Sequence, residues 1–121
     1  MSLLSSCKKD NNTNSGNAVQ GTINLEVHAK HHSWDVAGIM IYLKKNTTEF
    51  PGKDSSVYNY SGKTDGYGKF TFEHLYPGNY YIYASGYDNV WGANVIGYIP
   101  AVLDKNNVID NYLGITIYVS E

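Results

Sequence analysis

The chain contains no arginine: all nine of its basic residues are lysines, and its formal net charge is -2. Without a guanidinium group it lacks the bidentate fork that grips phosphate and reads guanine, and no lysine cluster forms a basic face. Nucleic acid is therefore not an expected partner. Cysteine occurs once, at Cys7, so no internal disulfide forms. No run reaches the roughly 18 apolar residues of a membrane-spanning helix. What is abundant is tyrosine and glycine, twelve of each, a composition that favours strands and tight turns over helices. The 121 residues give room for one domain, and a domain of about 100 residues buries roughly two-thirds of its unfolded surface without needing staples.

Alternation of apolar and polar residues predicts a series of short strands. Over Gly21–Ala29, Ile23, Leu25 and Val27 point to one side and Thr22, Asn24, Glu26 and His28 to the other. Residues 30–35 read as a polar loop carrying Trp34. Val36–Leu43 resumes the alternation with Ile39, Ile41 and Leu43 inward. Residues 44–56 hold the breakers Asn46, Pro51–Gly52 and Asp54 and read as a long exposed connection, followed by a short strand at Val57–Ser61. The most patterned stretch is Thr64–Tyr87: a turn at Asp65–Gly68, a strand with Phe70 and Phe72, a second turn at Pro77–Gly78, then Tyr80, Ile82 and Ala84 in alternation. Residues 87–93 read as a loop bearing Trp91. Val95–Leu103 is a strand interrupted or bent at Gly97 and Pro100 and suited to an edge, where a missing donor costs least. The last strand turns Leu113, Ile115, Ile117 and Val119 inward and Thr116 and Tyr118 outward. Seven or eight strands without a sustained helical period predict an all-β, antiparallel sandwich of Greek-key type over residues 19–121.

Residues 1–18 are different in kind. After Cys7 they are polar, rich in Asn and Ser and free of aromatics, the composition of a disordered tether. Leu4–Ser5–Ser6–Cys7 resembles a bacterial lipobox, in which the cysteine is lipid-modified and becomes the first residue of the mature protein. Only Met1–Ser2–Leu3 precedes it, which reads as an added start or the stub of a trimmed signal peptide. Lys8–Lys9–Asp10 resembles the leaders of Bacteroidetes lipoproteins. The resemblance implies attachment at Cys7 to the outer membrane of the cell envelope, on its periplasmic or its outer side, where several acyl chains anchor firmly and one would not.

Thr64, Asp65, Gly68, Phe70, Phe72, Leu75, Pro77, Gly78 and Tyr80, followed by Ala84, Gly86 and Tyr87, match the pattern T-D-x-x-G-x-F-x-F-x-x-L-x-P-G-x-Y and its A-x-G-[YF] sequel. On these residues the chain resembles the carboxypeptidase regulatory-like domain, within the transthyretin-like (prealbumin-like) and Cna-B-like group of β-sandwiches. Gly21–Leu25 and Gly38–Leu43 resemble two further strands of that group. Each matched residue has a structural role: Asp65 caps its turn, Gly68 takes a positive φ, the phenylalanines fill the core, and Tyr80 buries its ring while its hydroxyl reaches backbone. Function does not transfer across the group, which holds enzymes, carriers and adhesin stalks. The Lys–Asn isopeptide of Cna-B-like domains is not expected, because the final strand, Ile115–Thr116–Ile117–Tyr118–Val119, offers no asparagine. Hydroxyisourate hydrolysis needs an arginine and a Tyr-Arg-Gly-Ser ending, and this chain has neither.

Little else points to chemistry. His28, His31, His32 and Asp35 are the one cluster of metal-type residues, and a metal-dependent enzyme built on the three histidines is the catalytic alternative. Zinc needs three or four converging ligands, and solvated loop histidines are the simpler expectation, as is a solvated His74. Asp65–Gly68 has too few carboxylates for calcium. No nucleophile elbow or phosphate loop is present, so neither metal, cofactor nor catalytic residue is assigned. The remaining feature is aromatic. Trp34 and Trp91 sit in loops, and alternation places Tyr42, Tyr81, Tyr83 and Tyr118 on outer faces, where such rings stack on sugars or form protein interfaces. Tyrosine also simply favours solvated sheet faces. The expectation is a non-enzymatic, lipid-anchored envelope module with a binding or scaffold role toward a glycan or an envelope protein, with a carbohydrate-binding accessory lipoprotein as the more specific alternative.

Overall fold

A computed structural model describes residues 21–121; the expected leader with Cys7 lies outside them. The alternation that begins at Ile23 carries β1 to His31, and Ile23, Leu25, Val27 and Ala29 are all fully buried. The other strands are β2 (Trp34–Asp35), β3 (Met40–Lys45), β4 (Tyr60–Lys63), β5 (Lys69–Leu75), β6 (Gly78–Asp88), β7 (Ala93–Leu103) and β8 (Tyr112–Tyr118). β1 is flanked by β5 on one edge and β8 on the other, with the short β2 continuing the β5 side; β4, β3, β6 and β7 form the second sheet in that order. Between the sheets Ile23, Leu25, Val27 and Ile117 meet Ile41, Leu43, Ile82 and Leu103. Each such side chain contributes about 1.5–3 kcal/mol relative to staying in water.

The all-β sandwich expected from the sequence is present, with one pair of strands running otherwise. β8 lies parallel to β1, from Asn24 opposite Tyr112 to Lys30 opposite Tyr118. The reason is topological: β1 and β8 are far apart in the chain, and β8 is entered from β7 in the opposite sheet through residues 104–111, so no hairpin imposes antiparallel pairing. Asp110 and Asn111, both at positive φ, turn the chain into β8 with Ile109 and Tyr112 exchanging backbone hydrogen bonds at 3.0 Å.

The patterned stretch behaves as its residues require. Asp65 Oδ1 accepts the amides of Tyr67 (2.8 Å) and Lys69 (3.1 Å), and Gly68 has φ 77° with its backbone against Ala29 and Val36. Those hydrogen bonds hold the Asp65 carboxyl below its ordinary pKa. The Tyr80 hydroxyl donates to the Tyr76 carbonyl at 2.7 Å while its ring is buried. Thr64 adds a role that its position in the pattern did not reveal. Its buried hydroxyl donates to the Val36 carbonyl (2.8 Å) and accepts the Ile39 amide (3.1 Å), so it pins the entry to β3. Phe72 is buried as expected, whereas Phe70 is half-buried and leans over Gly62.

The expected strand at Val57–Ser61 is displaced. Asp54 accepts from the Ser56 amide and hydroxyl and so draws residues 55–57 into a 3-10 turn, and pairing with β3 begins only at Tyr60. β7 is an edge strand, as Pro100 suggested, and its pairing with β6 runs uninterrupted from Ala93 to Leu103. Ile96 exchanges both backbone hydrogen bonds with Ser120 (2.9 and 2.8 Å), the Asn107 side chain donates to the Val102 carbonyl, and Pro100 has no N–H to offer.

Candidate functional site

Residues 46–59 are the first departure from the expected surface. Their neck is tied by Asn59, whose Oδ1 accepts the Lys45 amide (2.9 Å) and whose amide donates to the Leu43 carbonyl (2.9 Å). Closed ends and self-packing make this an Ω-loop. It folds back over the outer face of the second sheet. Phe50 stacks on Tyr98 (centroids 4.2 Å) and reaches Tyr81 and Tyr83 (5.9 and 5.8 Å), while Tyr58 lies 5.7 Å from both Tyr42 and Tyr83. The Tyr58 hydroxyl donates to Gly52 O at 2.7 Å, which locks the loop on itself.

The aromatic face expected to be open is thus largely covered by the chain's own loop. Tyr83 is buried at 5% exposure, Tyr42 and Tyr81 are half-buried, and all three belong to a small outer core. Tyr118 stays exposed, but on β8 of the other sheet, apart from the rest. Alternation correctly placed the tyrosines outward; it could not show that a polar connection would return to cover them. Phe50 beside Pro51–Gly52, a lone ring in a hydrophilic stretch, was the available sign.

The second region is one end of the sandwich, where the β1–β2 and β6–β7 hairpins meet. The sequence reading left both His31 and Asp88 in loops, but they end β1 and β6 and are buried. Extending the inward parity of Ile23 through Ala29 reaches His31, and that of Tyr80 through Ala84 reaches Asp88. His31 Nδ1 lies 2.8 Å from Asp88 Oδ2, with both side chains 2% exposed, so the sheets are joined by a buried polar pair. Asp88 Oδ1 accepts the amides of Val90 (2.9 Å) and Trp91 (3.3 Å), shaping the hairpin that presents Trp91. Burial pushes the Asp88 carboxyl up, but the hydrogen bonds from His31, Trp91 and Val90 outweigh it and hold the pKa below the usual value. His31 Nε2 faces Glu121 Oε2 at 3.9 Å.

Above this pair the His32 ring packs 4.2 Å from the Trp91 ring and 4.4 Å from the His31 ring. His32 has φ 59°, a left-handed conformation uncommon for a residue with a Cβ. Trp34, opposite His31 in the β1–β2 pairing, is 56% exposed and Trp91 is 45% exposed. The two expected loop tryptophans therefore share this end.

The three histidines do not converge. His28 lies on the outer face of β1, with Nε2 2.6 Å from Asp35 Oδ1, where Lys30 Nζ also binds at 3.1 Å. His31 points inward, away from it, and is buried rather than solvated as expected, because the strand runs two residues further than its apolar pattern. Among the described residues no group of three or more His, Cys, Asp or Glu side chains is arranged to hold a metal ion.

No known family profile matches the chain, and no curated protein matches it in sequence. Its fold is similar to that of solved structures. One is BcpA, the major pilin subunit of Bacillus cereus, with TM-score 0.55 and 16% identity over 83% of this chain. The chain spans only 30% of that pilin's length. Another is a proposed carbohydrate-binding protein of Pseudomonas aeruginosa, with TM-score 0.53 and 12% identity over 84% of this chain and 91% of the other. At such identities the likeness concerns the fold: this chain has the β-sandwich architecture shared by pilin domains and by that protein, consistent with a transthyretin-like sandwich.

Proposed function

We propose that the chain is a non-enzymatic module of the cell envelope, tethered through a lipid on Cys7 and residues 8–18, that binds a partner through the end carrying Trp34 and Trp91. The observation behind this reading is the arrangement of that end. Two half-exposed indoles stand on tight hairpins, and the buried His31–Asp88 pair beneath them fixes both supports. A preorganised aromatic surface loses little entropy on binding. The groups most suggestive of acid–base chemistry are committed elsewhere: His31 and Asp88 are enclosed with each other, and His28 is held by Asp35.

A neutral glycan is the preferred ligand within this reading. It is favoured by the flat indole faces and by the likeness to the proposed carbohydrate-binding protein, most of whose length is matched. A glycan array followed by tryptophan-fluorescence titration tests it. Binding should fall at least tenfold in Trp34→Ala or Trp91→Ala; no array signal, or unchanged binding in both variants, removes the glycan reading, and capture of an envelope protein in its place would keep only the scaffold role. The tether is tested on the full reading frame. Cys7→Ser should move the protein from the membrane to the soluble fraction, and the absence of a hydrophobic signal segment ahead of Leu4 would end that part of the proposal.

A further inference from the structure

The Ω-loop does more than cover the tyrosines, because where it rejoins the sheet it leaves an open cleft of about 230 Å³ lined by Tyr42, Ser55, Tyr58, Asn59, Tyr60 and Ser61. We infer that this cleft is a subsite for a single neutral pyranose ring. The inference shares its ligand class with the glycan reading but lies on a different surface and stands on the chemistry of the cleft itself.

Three of the six lining residues are tyrosines: Tyr42 and Tyr58 pack on each other and on Tyr83, while Tyr60 is exposed and its ring suits the C–H side of a sugar. Two walls are rigid. The Tyr58 ring packs against both Tyr42 and Tyr83, and its hydroxyl is committed to Gly52 O. The Asn59 side chain is oriented by the Lys45 amide on its Oδ1, which directs the two amide hydrogens away from that bond. Ser55 and Ser61 add hydroxyls from the loop and from β4, so hydrogen-bond donors and acceptors surround an aromatic wall.

The cleft also selects by what lines it. No lysine, histidine or carboxylate contributes to the wall, so a phosphate would meet no countercharge and a metal ion no anionic ligand. Burial and the neighbouring Tyr83 and Tyr81 push the Tyr58 pKa up to about 12, so its hydroxyl keeps its proton at physiological pH. The volume lies below the roughly 300–1,000 Å³ of pockets for drug-sized ligands, a size suited to one ring rather than a disaccharide enclosed on all sides. Its open mouth lets the ring be the terminal or an internal residue of a longer chain.

The test is an amide NMR titration of the full chain with the methyl glycosides of glucose, galactose and mannose, and with glycerol as a polyol lacking a ring. Saturable shifts at the amides of Ser55, Asn59, Tyr60 and Ser61 with at least one glycoside, and none with glycerol, are expected. Ser61→Ala, which removes a single exposed hydroxyl, and Tyr60→Ala should each weaken that binding about fivefold, the loss of roughly one hydrogen bond or ring contact. Absence of saturable cleft shifts with all three glycosides, or equal shifts with glycerol, overturns the assignment. Shifts confined to the Trp34 and Trp91 indoles overturn it while leaving the tryptophan end as the binding surface. Cleft shifts with silent indoles uphold it and remove the glycan reading of that end instead.

Discussion

Phe50 lies almost flat on Tyr98, with centroids 4.2 Å apart and ring planes 15° from parallel. The contact joins the middle of the Ω-loop to the edge strand β7, across the buried Tyr83. Phe50→Ala should therefore loosen the whole loop. Truncating a fully buried phenylalanine costs about 3–5 kcal/mol; Phe50 is half-buried, so a loss near 2 kcal/mol is expected in urea denaturation. Hydrogen exchange should rise over residues 46–59 and leave β1 unaffected.

Tyr58 gives the same loop an alkaline limit. Its folded pKa is raised to about 12, against about 10 for an unfolded tyrosine. The folded state holds its phenolic proton more tightly, so this contribution is fully present below about pH 10 and is lost as pH rises toward 12. Stability measured across that window should fall in the wild type and fall less in Tyr58→Phe. The variant should also be less stable at neutral pH, because it lacks the bond to Gly52 O.

His31 and Asp88 set the limit at the acid side. The lowered Asp88 pKa means the folded state favours the carboxylate; its contribution is present above the unfolded value of about 3.9 and disappears as pH falls through the lower folded value. Asp88→Asn keeps the shape but leaves His31 without its anionic partner, and breaking such a buried pair costs about 3–5 kcal/mol. Asp35, Asp54 and Asp65 are also lowered, so the test is the difference in stability between wild type and variant. That difference should be large at pH 6 and shrink below pH 4.

Gly97 marks where the two sheets are sewn together behind β7. A Cβ there would lie 2.6 Å from the Tyr118 carbonyl oxygen and 3.0 Å from Val119 Cγ1. Backbone cannot swing aside as a side chain can, so Gly97→Ala should cost about 1–3 kcal/mol and lower Tm by several degrees. Gly66→Ala, which meets nothing within 4 Å and carries no positive φ, is the matched control and should shift Tm little.

The sequence made the sandwich legible because inward residues repeat with period two and the turns carry their own chemistry in Asp65, Gly68 and Pro77–Gly78. It was less informative where a polar residue occupies an inward position. His31 and Asp88 continue the parity of their strands, yet each looks like a loop residue until the partner on the other sheet is known. The same holds for the outer tyrosines. Period two sorts side chains between faces, but whether a face is wet depends on long-range contacts such as that of Phe50, which local pattern does not encode. The direction of β8 is likewise a property of the crossover at 104–111 and not of the strand's own residues.

The way β7 is finished bears on how these molecules tolerate crowding. With Ile96 already bonded to Ser120, Val102 O occupied by Asn107 and no N–H at Pro100, a neighbouring strand meets few consecutive bonding positions along this border. Copies meeting along this border would therefore remain separate bodies instead of zipping into a continuous sheet, and any assembly through this flank would have to be built by side chains rather than by shared backbone.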